Sequence, residues 1–331
     1  MKVFDTLKIF KKYKRSSLAI GNFDGVHKGH QKVFKQARRF AKSRKLKFGI
    51  LTFSPLPVMF FNKKIKNYRL VSEVEKFKLF KKYGVDFVIN VKFSKSFSKI
   101  NANDFIKNII YKKINPKQIF VSNNFKFGNK RKGDVSLLKK FGKKYDYQLS
   151  KISPFKYNGN VISSTKIRKS LQRGKIETAN KLLSRSWFIE GHVTKGKKLG
   201  RKLGYRTCNI RIKNYVLPKT GIYVVKVTIE SKKYIYNGIA YLGSRPTFKG
   251  KEIFLEINIF GIKKNLYKKK LIVYFLKFIR RDRKFRHRGE LIRQMNKDVI
   301  FAKKGLKTKL VLWAKKISIY PKLYFQWRQI C

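Results

Sequence analysis

The segment GNFDGVHKGHQ, residues 21–31, constrains the fold of this chain more than any other, and we call it the histidine turn. It follows apolar residues 18–20, which are typical of the end of a buried strand. It precedes apolar side chains at helical spacing, namely Val33, Phe34, Ala37, Phe40 and Ala41. The pattern predicts a strand, a tight turn and the first turn of a helix. Because N–H groups at a helix start attract anions, we expect the phosphates of a nucleotide to bind here.

The candidate binding residues of the histidine turn are Gly21, Phe23, Asp24, His27, Gly29 and His30. Gly29 has no side chain to keep a phosphate away, and the two imidazoles can donate hydrogen bonds to phosphoryl oxygens as negative charge develops. The alternative is one histidine that caps the helix and one that packs in the core. Asp24, Gly25 and Gly29 in the same turn favour the nucleotide site.

The length of 331 residues suffices for two domains of ordinary size. Two cysteines, Cys208 and Cys331, are too few for a disulfide framework, and the sequence contains neither a secretory leader pattern nor a long apolar span. We therefore expect a cytoplasmic protein with no membrane partner, and we favour a monomer.

The formal net charge of +68 has the sign that a nucleic-acid partner requires, because lysine and arginine neutralise backbone phosphates. The basic residues are spread along the whole chain, whereas a dedicated binding surface concentrates them. We therefore expect no specific nucleic-acid partner. The charge should still raise the rate of encounter with anionic substrates.

The first half of the chain alternates strand and helix signals, with strands expected at 48–53, 85–93 and 118–121 and helices after Ser72 and at 104–111. Such alternation predicts a parallel sheet that binds ligands at the carboxyl ends of its strands. The second half predicts a small antiparallel barrel followed by a helix, formed by residues 221–230, 233–242, 252–260, 271–278 and 289–304. We predict domains at 1–186 and 187–304, and residues 305–331 form an unassigned basic and aromatic tail.

Residues 162–168, ISSTKIR, offer a second group of phosphate ligands to the first domain. Hydroxyl groups of Ser163, Ser164 and Thr165 precede a predicted helix, and Lys166 and Arg168 could hold a leaving pyrophosphate. A serine cluster before a helix is usually only a cap. Its combination with the histidine turn favours the binding interpretation.

A second site is predicted in residues 191–209, GHVTKGKKLGRKLGYRTCN, where bare backbone and basic side chains could surround phosphates. The candidates there are Gly191, Gly196, Lys198, Gly200 and Gly204, and a flexible surface loop is the alternative. Thr207 and Asn209 lie two residues apart. In an extended segment they share a face, so both could reach Mg²⁺ or ATP oxygens.

Glu256 is the candidate general base of the second site. It alternates with apolar residues of a predicted strand, which are Ile253, Leu255, Ile257 and Ile259. The chain has only 16 acidic residues, and a carboxylate within an apolar strand needs an explanation. We expect Glu256 to accept the proton of a substrate hydroxyl that attacks ATP, and a glutamate that merely faces solvent is the alternative.

Six segments resemble, in order, motifs of the prokaryotic bifunctional riboflavin kinase and FAD synthetase family: GNFDGVHKGHQ, FKFGNKRKGDVSLL, ISSTKIR, LGYRTCN, LGSRPTF and LEINIF. The resemblance implies an α/β plus β fold, with an N-terminal Rossmann-like nucleotidyltransferase domain and a C-terminal riboflavin kinase barrel. It also implies two reactions. ATP would phosphorylate riboflavin to FMN in the barrel, and FMN would attack a second ATP in the α/β domain to give FAD and pyrophosphate.

The same resemblance implies roles for individual residues. ATP would be bound in the adenylylating domain by His27, His30, Ser164, Thr165 and Arg168, with Asn123 near the nucleotide. In the kinase domain Thr207 and Asn209 would hold magnesium and ATP, and Glu256 would be the base.

The chain departs from the family pattern at Ser54, Leu56, Asn124, Arg206, Cys208 and Asn258. Ser54 and Leu56 replace a carboxylate and an imidazole, and Arg206 replaces a proline. Most departures that remove a functional group fall in the first domain, so a kinase with a weakened adenylyltransferase is one alternative. A Rossmann-type aminoacyl-tRNA synthetase and a basic nucleic-acid-binding protein that retains the fold are alternatives of other classes.

Overall fold

The computed structural model describes residues 1–195, 204–230, 234–247, 250–262 and 264–314. Two compact units make up the chain. The first comprises Met1–Gln172, Thr178–Arg185 and Lys213–Leu217, and the second comprises Arg173–Glu177, Ser186–Ile212 and Pro218–Cys331. The domain limits at residues 186 and 304 stay predictions.

The first unit contains a sheet of parallel strands, as the sequence predicts. The strands are β1 (Lys2–Phe4), β2 (Ser17–Ile20), β3 (Phe48–Ser54), β4 (Phe87–Lys92), β5 (Gln118–Ser122) and β6 (Gln148–Ile152). Their order across the sheet is β1-β4-β3-β2-β5-β6, and every neighbouring pair is parallel. The sequence analysis did not assign β1 or β6. A short hairpin of β7 (Lys156–Tyr157) and β8 (Asn160–Val161) follows the sheet.

Both faces of this sheet are buried. Successive residues of a strand point to opposite faces, so a single strand contributes to the apolar packing on both. In β2, Leu18 and Ile20 pack in one apolar cluster, and Ala19 packs in the other. Buried strands of this kind are typical of parallel sheets that are covered by helices on both faces. The helices that precede the barrel in the chain are α1 (Lys28–Ser43), α2 (Pro57–Phe61), α3 (Glu73–Lys82), α4 (Lys95–Ser98), α5 (Ala102–Asp104), a π-helix (Phe105–Ile114), α6 (Val135–Lys144), α7 (Ser164–Gln172) and α8 (Ile176–Leu183).

Strand order fixes where a ligand can bind in the first unit. The strand β2 lies between β3 and β5. The chain continues from β2 to β3 and β4 on one side of it, and then to β5 and β6 on the other side. A crevice forms at the carboxyl ends of strands where the order reverses in this way. The histidine turn directly follows β2, and Asn123 directly follows β5, which places both at that crevice.

The second unit contains a closed antiparallel barrel, as the sequence predicts. Its strands are β9 (Trp187–Thr194), β10 (Cys208–Arg211), β11 (Gly221–Ile229), β12 (Ile235–Thr247), β13 (Gly250–Ile259) and β14 (Lys270–Arg280), in the order β10-β13-β12-β11-β14-β9. The pairing of β9 with β10 closes the barrel. The sequence analysis recognised the last four strands and missed β9 and β10.

A helix, α9 (Arg288–Ala314), follows the barrel and extends beyond the predicted end at residue 304. Arg280 at the end of β14 donates from Nη2 to Oδ2 of Asp298 at 2.7 Å and from Nε to Oδ1 at 3.0 Å. Asp298 is buried and also accepts from Gln294. This ion pair therefore ties the helix to the barrel. Across the part of the chain that the structure describes, no helix is both long and apolar enough to cross a bilayer.

We expect Asp298→Ala to lower the free energy of unfolding of the second unit by about 3 kcal/mol, because it leaves the Arg280 guanidinium without its buried partner. Urea denaturation followed by tryptophan fluorescence measures the change. The control is Glu290→Ala, which removes an exposed pair with Arg283 and should cost less than about 1 kcal/mol. Equal effects of the two substitutions would contradict the prediction.

Candidate active sites

A cavity of about 1100 Å³ opens at the carboxyl ends of the first unit's strands. It brings together most residues that the sequence analysis assigned to the first site. The lining includes Gly21, Phe23, Asp24, His27, Gly29, His30, Asn123, Ser163 and Ser164. Thr165 is exposed in the first turn of α7 and Arg168 is buried, and neither belongs to this lining.

The two histidines stack face to face at the start of α1, with ring centroids 3.6 Å apart. His27 is the residue before the helix, and its Nδ1 accepts a hydrogen bond from the backbone N–H of His30 at 3.4 Å. Since Nδ1 is an acceptor, the ring proton is assigned to Nε2. His27 thus caps the helix, as the alternative interpretation proposed, and it also lines the cavity.

Both imidazoles are neutral near pH 7. Burial, together with the nearby guanidinium groups of Arg185 and Arg168, lowers the pKa of His27 to about 4. Burial also lowers the pKa of His30 well below its usual range, helped by His27 and the same arginines. A neutral imidazole retains one N–H donor. The pair can therefore donate to phosphoryl oxygens without a change of protonation.

Gly29 lies so close to the capping histidine that a side chain at this position would make an unusually tight contact with it. A Cβ atom at Gly29 would lie 3.0 Å from Cε1 of His27. Within the same turn, Phe23, Gly25 and Val26 have positive φ angles of 48°, 81° and 43°. Such angles are uncommon for residues with side chains, and they point to a turn that its surroundings hold firmly.

Asp24 and Arg168 form a buried ion pair beneath the histidine turn. Both Asp24 oxygens also accept the N–H of Leu70 at 3.1 Å. Arg168 donates from Nε to the carbonyl of Tyr68 at 2.8 Å, and its guanidinium carbon lies 3.7 Å from the centre of the Tyr68 ring. Burial raises the pKa of Asp24, and the charge of Arg168 opposes that shift. Arg168 thus contacts protein groups, and its role in binding pyrophosphate stays a prediction.

The serine cluster connects α7 to the histidine turn. Ser164 donates from Oγ to the carbonyl of Asp24 at 2.9 Å, and Ser163 accepts from the N–H of Lys166 at 3.2 Å. Lys166 is exposed and donates to Asn160 at 2.9 Å. Ser164 therefore positions the turn and Ser163 caps α7, while both serines face the cavity.

The sequence analysis missed a further part of the cavity wall. This part is aromatic and cationic, and it includes Phe53, Phe61, Phe93, Phe97, Phe105, Phe125, Phe127, Lys126, Lys130 and Arg131. Lys130 and Arg131 are exposed and have positive φ angles of 50° and 58°. The segment FKFGNKRKGDVSLL contained the signal, since it alternates aromatic and basic residues after a strand.

Gln31, the last residue of the histidine turn, is a second group that the sequence analysis left without a role. It donates to the carbonyls of Val26 at 2.9 Å and Leu183 at 3.1 Å, and it accepts from Ser184. Gln31 thereby fixes the turn to the end of α8.

The second site lies on the barrel, where β10 pairs with β13. The register places Asn209 opposite Glu256, and Thr207 donates from Oγ1 to Oε1 of Glu256 at 2.6 Å. The predicted threonine, asparagine and glutamate therefore meet. Asn258, two residues further along β13, donates to the carbonyl of Arg206 at 2.7 Å. Two positions that depart from the family pattern thus contact each other and hold this segment to the barrel.

The polar atoms at this site fit a magnesium ion. The Oδ1 atom of Asn209 is buried and accepts no hydrogen bond from the residues that the structure describes. Thr207 uses its proton toward Glu256, which leaves its oxygen lone pairs for a cation. Mg²⁺ binds through one or two protein oxygens together with substrate phosphates. Burial raises the pKa of the intervening Cys208 to about 12, so its thiol stays protonated.

The glycine-rich segment lies only partly within the described residues. Gly196, Lys198 and Gly200 fall outside them. Gly204 is in a turn with a φ of 83° and open space around it. Gly191 lies in strand β9, where a Cβ would be 2.4 Å from Cγ2 of Ile210. Close strand packing accounts for Gly191, and its part in ligand binding stays a prediction.

Sequence profiles of two enzyme families match the chain: FAD synthetase over residues 9–166 and riboflavin kinase over residues 183–306. The bifunctional riboflavin kinase/FMN adenylyltransferase of Buchnera aphidicola subsp. Schizaphis graminum is 39% identical over 293 residues, 87% of this chain and 93% of that protein. The chain belongs to the bifunctional riboflavin kinase/FMN adenylyltransferase family. The protein of the same description from Escherichia coli strain K12 is 33% identical over 86% of this chain and 91% of its own length.

Among solved structures, one described as a macrolide-efflux protein from Streptococcus pneumoniae matches with a TM-score of 0.80 and 28% identity, over 91% of this chain and 98% of that one. The family membership implied by the six motifs is thus confirmed, and both enzyme domains of the family are present.

The neutral state of His27 predicts acid sensitivity of the fold. Unfolded histidine binds a proton near pH 6.5 and folded His27 only near pH 4, so stability falls as the pH decreases between these values. Between pH 7 and pH 4, the free energy of unfolding of His27→Asn, which retains a helix cap, should fall by roughly 3 kcal/mol less than that of the unsubstituted protein. Urea denaturation at both pH values measures this. The exposed His192→Asn serves as the control, and an unchanged pH dependence in His27→Asn would contradict the prediction.

Proposed function

We propose that this chain makes FAD from riboflavin in two steps at two separate sites, and that the residues gathered at each site carry out its step. In the barrel, ATP phosphorylates riboflavin to FMN. In the first unit, FMN reacts with a second ATP to give FAD and pyrophosphate. The observation that carries the proposal is the occurrence, in one chain, of an anion site at a strand reversal and a threonine–asparagine–glutamate group on a barrel.

In the adenylylation step, an oxygen of the FMN phosphate attacks the α-phosphorus of ATP, and the bond to the β-phosphate oxygen breaks. Negative charge moves to the departing pyrophosphate. The N–H groups at the start of α1 and the neutral imidazoles of His27 and His30 are placed to donate to these oxygens. Ser163 faces the same cavity and uses its oxygen to accept from Lys166, so its hydroxyl proton can serve as a further donor, whereas Ser164 donates to Asp24. Positioning and charge neutralisation account for most catalysis in reactions of this kind.

The other wall of the cavity suits the second substrate. Its phenylalanines offer flat apolar surfaces to a flavin ring, and Lys130 and Arg131 offer charge to the FMN phosphate. Neither cation forms an ion pair with a carboxylate of the described chain, whereas Lys126 pairs with Asp134. A volume of about 1100 Å³ slightly exceeds the range of about 300–1,000 Å³ that small-molecule sites usually have, as a site for two nucleotides requires.

In the kinase step, the terminal hydroxyl of the riboflavin side chain attacks the γ-phosphorus of ATP, and ADP leaves. Glu256 accepts the hydroxyl proton, and the hydrogen bond from Thr207 orients its carboxylate. Thr207 and Asn209 would hold Mg²⁺, which neutralises phosphate charge when bound. The substrates ATP, riboflavin and FMN are small molecules, and the proposal requires no nucleic acid or membrane.

The two sites predict reciprocal loss of activity. We expect Glu256→Gln to lower the rate of FMN formation about 10²- to 10⁴-fold, because the general base is lost, and to leave adenylylation of supplied FMN intact. His30→Ala should do the reverse. The assay incubates purified protein with Mg²⁺, ATP and either riboflavin or FMN, and chromatography separates the flavins. Each variant is the control for the other. Loss of both activities in either variant would contradict the proposal of separate sites. Salt-sensitive binding of the protein to random duplex DNA, without ATP turnover, would favour the nucleic-acid alternative.

The cationic wall predicts discrimination between FMN and riboflavin. Replacement of Lys130 and Arg131 together by alanine should raise the KM for FMN in FAD formation about 10- to 100-fold, because charge-assisted contacts to the phosphate are lost. Inhibition of that reaction by riboflavin, which has no phosphate, should not change. Lys132→Ala is the matched control, since Lys132 is an exposed cation of the same loop outside the cavity lining. Equal KM values in all three proteins would contradict the assignment.

A further inference from the structure

Lys76 is a buried cation for which neither proposed step provides a role. It lies in α3 with only 1% of its surface exposed. Its ammonium group donates to Oγ1 of Thr52 at 3.3 Å, and Thr52 in β3 is completely buried. A fully buried lysine is rare unless a specific partner holds it. We therefore expect the contact with Thr52 to have a specific role.

The Thr52 hydroxyl connects Lys76 to the histidine turn. Its Oγ1 lies 3.2 Å from the carbonyl oxygen of Asn22, a residue of the turn that also lines the cavity. An ammonium group can only donate, so Thr52 must accept from Lys76 and direct its own proton to Asn22. A neutral apolar side chain at residue 76 would leave that hydroxyl free to rotate. The lysine thus fixes the direction of the hydrogen bond on which the turn rests.

The surroundings of Lys76 oppose its charge more than they compensate it. The pKa of Lys76 is lowered to about 8, because burial and the charge of Arg69 outweigh the opposite effects of Glu73 and Asp24. The rings of Phe77 and Phe80 lie 5.5 and 5.9 Å from its nitrogen. Because the folded pKa lies below the usual 10.5, the protonated lysine destabilises the fold at pH 7. Retention of such a group is expected where activity benefits from it.

We propose that Lys76 is a positioning residue of the adenylylating site, which fixes Asn22 through Thr52 and places a buried positive charge beside the triphosphate-binding turn. The proposal rests on the proposed function of that site. Its charge acts at the turn itself, where it disfavours protonation of His30. The same field favours a bound polyphosphate.

The test is Lys76→Met, which has a similar shape and no charge. We expect its kcat/KM for ATP in FAD formation from FMN to fall about 10- to 100-fold, as displacement of positioning groups typically does. The kcat/KM for riboflavin phosphorylation should not change. The melting temperature at pH 7 should stay equal or rise, because a buried charge is removed. Thr52→Val should lower the same kcat/KM, because it removes the hydroxyl that joins Lys76 to Asn22. Lys81→Met, an exposed lysine of the same helix, is the control and should match the unsubstituted protein.

The pH profile separates positioning by a charged group from simple packing. In the unsubstituted protein, kcat/KM for ATP in FAD formation should decline above pH 8 as Lys76 loses its proton, and this decline should be absent from Lys76→Met. A Lys76→Met protein with a lower melting temperature and an unchanged kcat/KM overturns the proposal, and so does a pH profile that the substitution leaves intact. If the unsubstituted protein makes no FAD from FMN, the proposed function itself fails instead.

Discussion

The first unit depends on one buried charge, the carboxylate of Asp24. It accepts the N–H of Leu70 and pairs with Arg168, which also donates to the carbonyl of Tyr68. Segments separated by up to 144 residues therefore meet at a single ion pair. Removal of either partner leaves the other charge buried and uncompensated, which typically lowers the free energy of unfolding by about 3–5 kcal/mol. The backbone of Asp24 is held as well, by the hydroxyl of Ser164. The pair thus holds the sharply bent histidine turn in place.

Local patterns in the sequence predicted most of the fold and the residues at the centre of each candidate site. The apolar run before residue 21 and the helical spacing after it located the histidine turn, because such periodicity depends only on neighbouring residues. Alternation in strand β13 likewise placed Glu256 on the face opposite Leu255. The partner of Arg168 was not visible in this way, since Asp24 lies far away in the chain and pairing depends on the final packing. The burial of Lys76 was hidden for the same reason.

Under the proposed function, the two sites would bind a polyanionic substrate by different physical means. At the histidine turn, backbone N–H groups and neutral imidazoles supply oriented dipoles, and the permanent charges lie behind them in the protein. On the barrel, the proposed base is a carboxylate, so a divalent cation would offset its repulsion of the phosphates.

The segment Lys213–Leu217 belongs to the first unit although the residues on either side of it belong to the second. Val216 donates its N–H to the carbonyl of Arg69, and both Val216 and Tyr215 are buried. A cut of the chain at residue 186 would therefore remove from the first unit a segment that contributes two buried side chains to it.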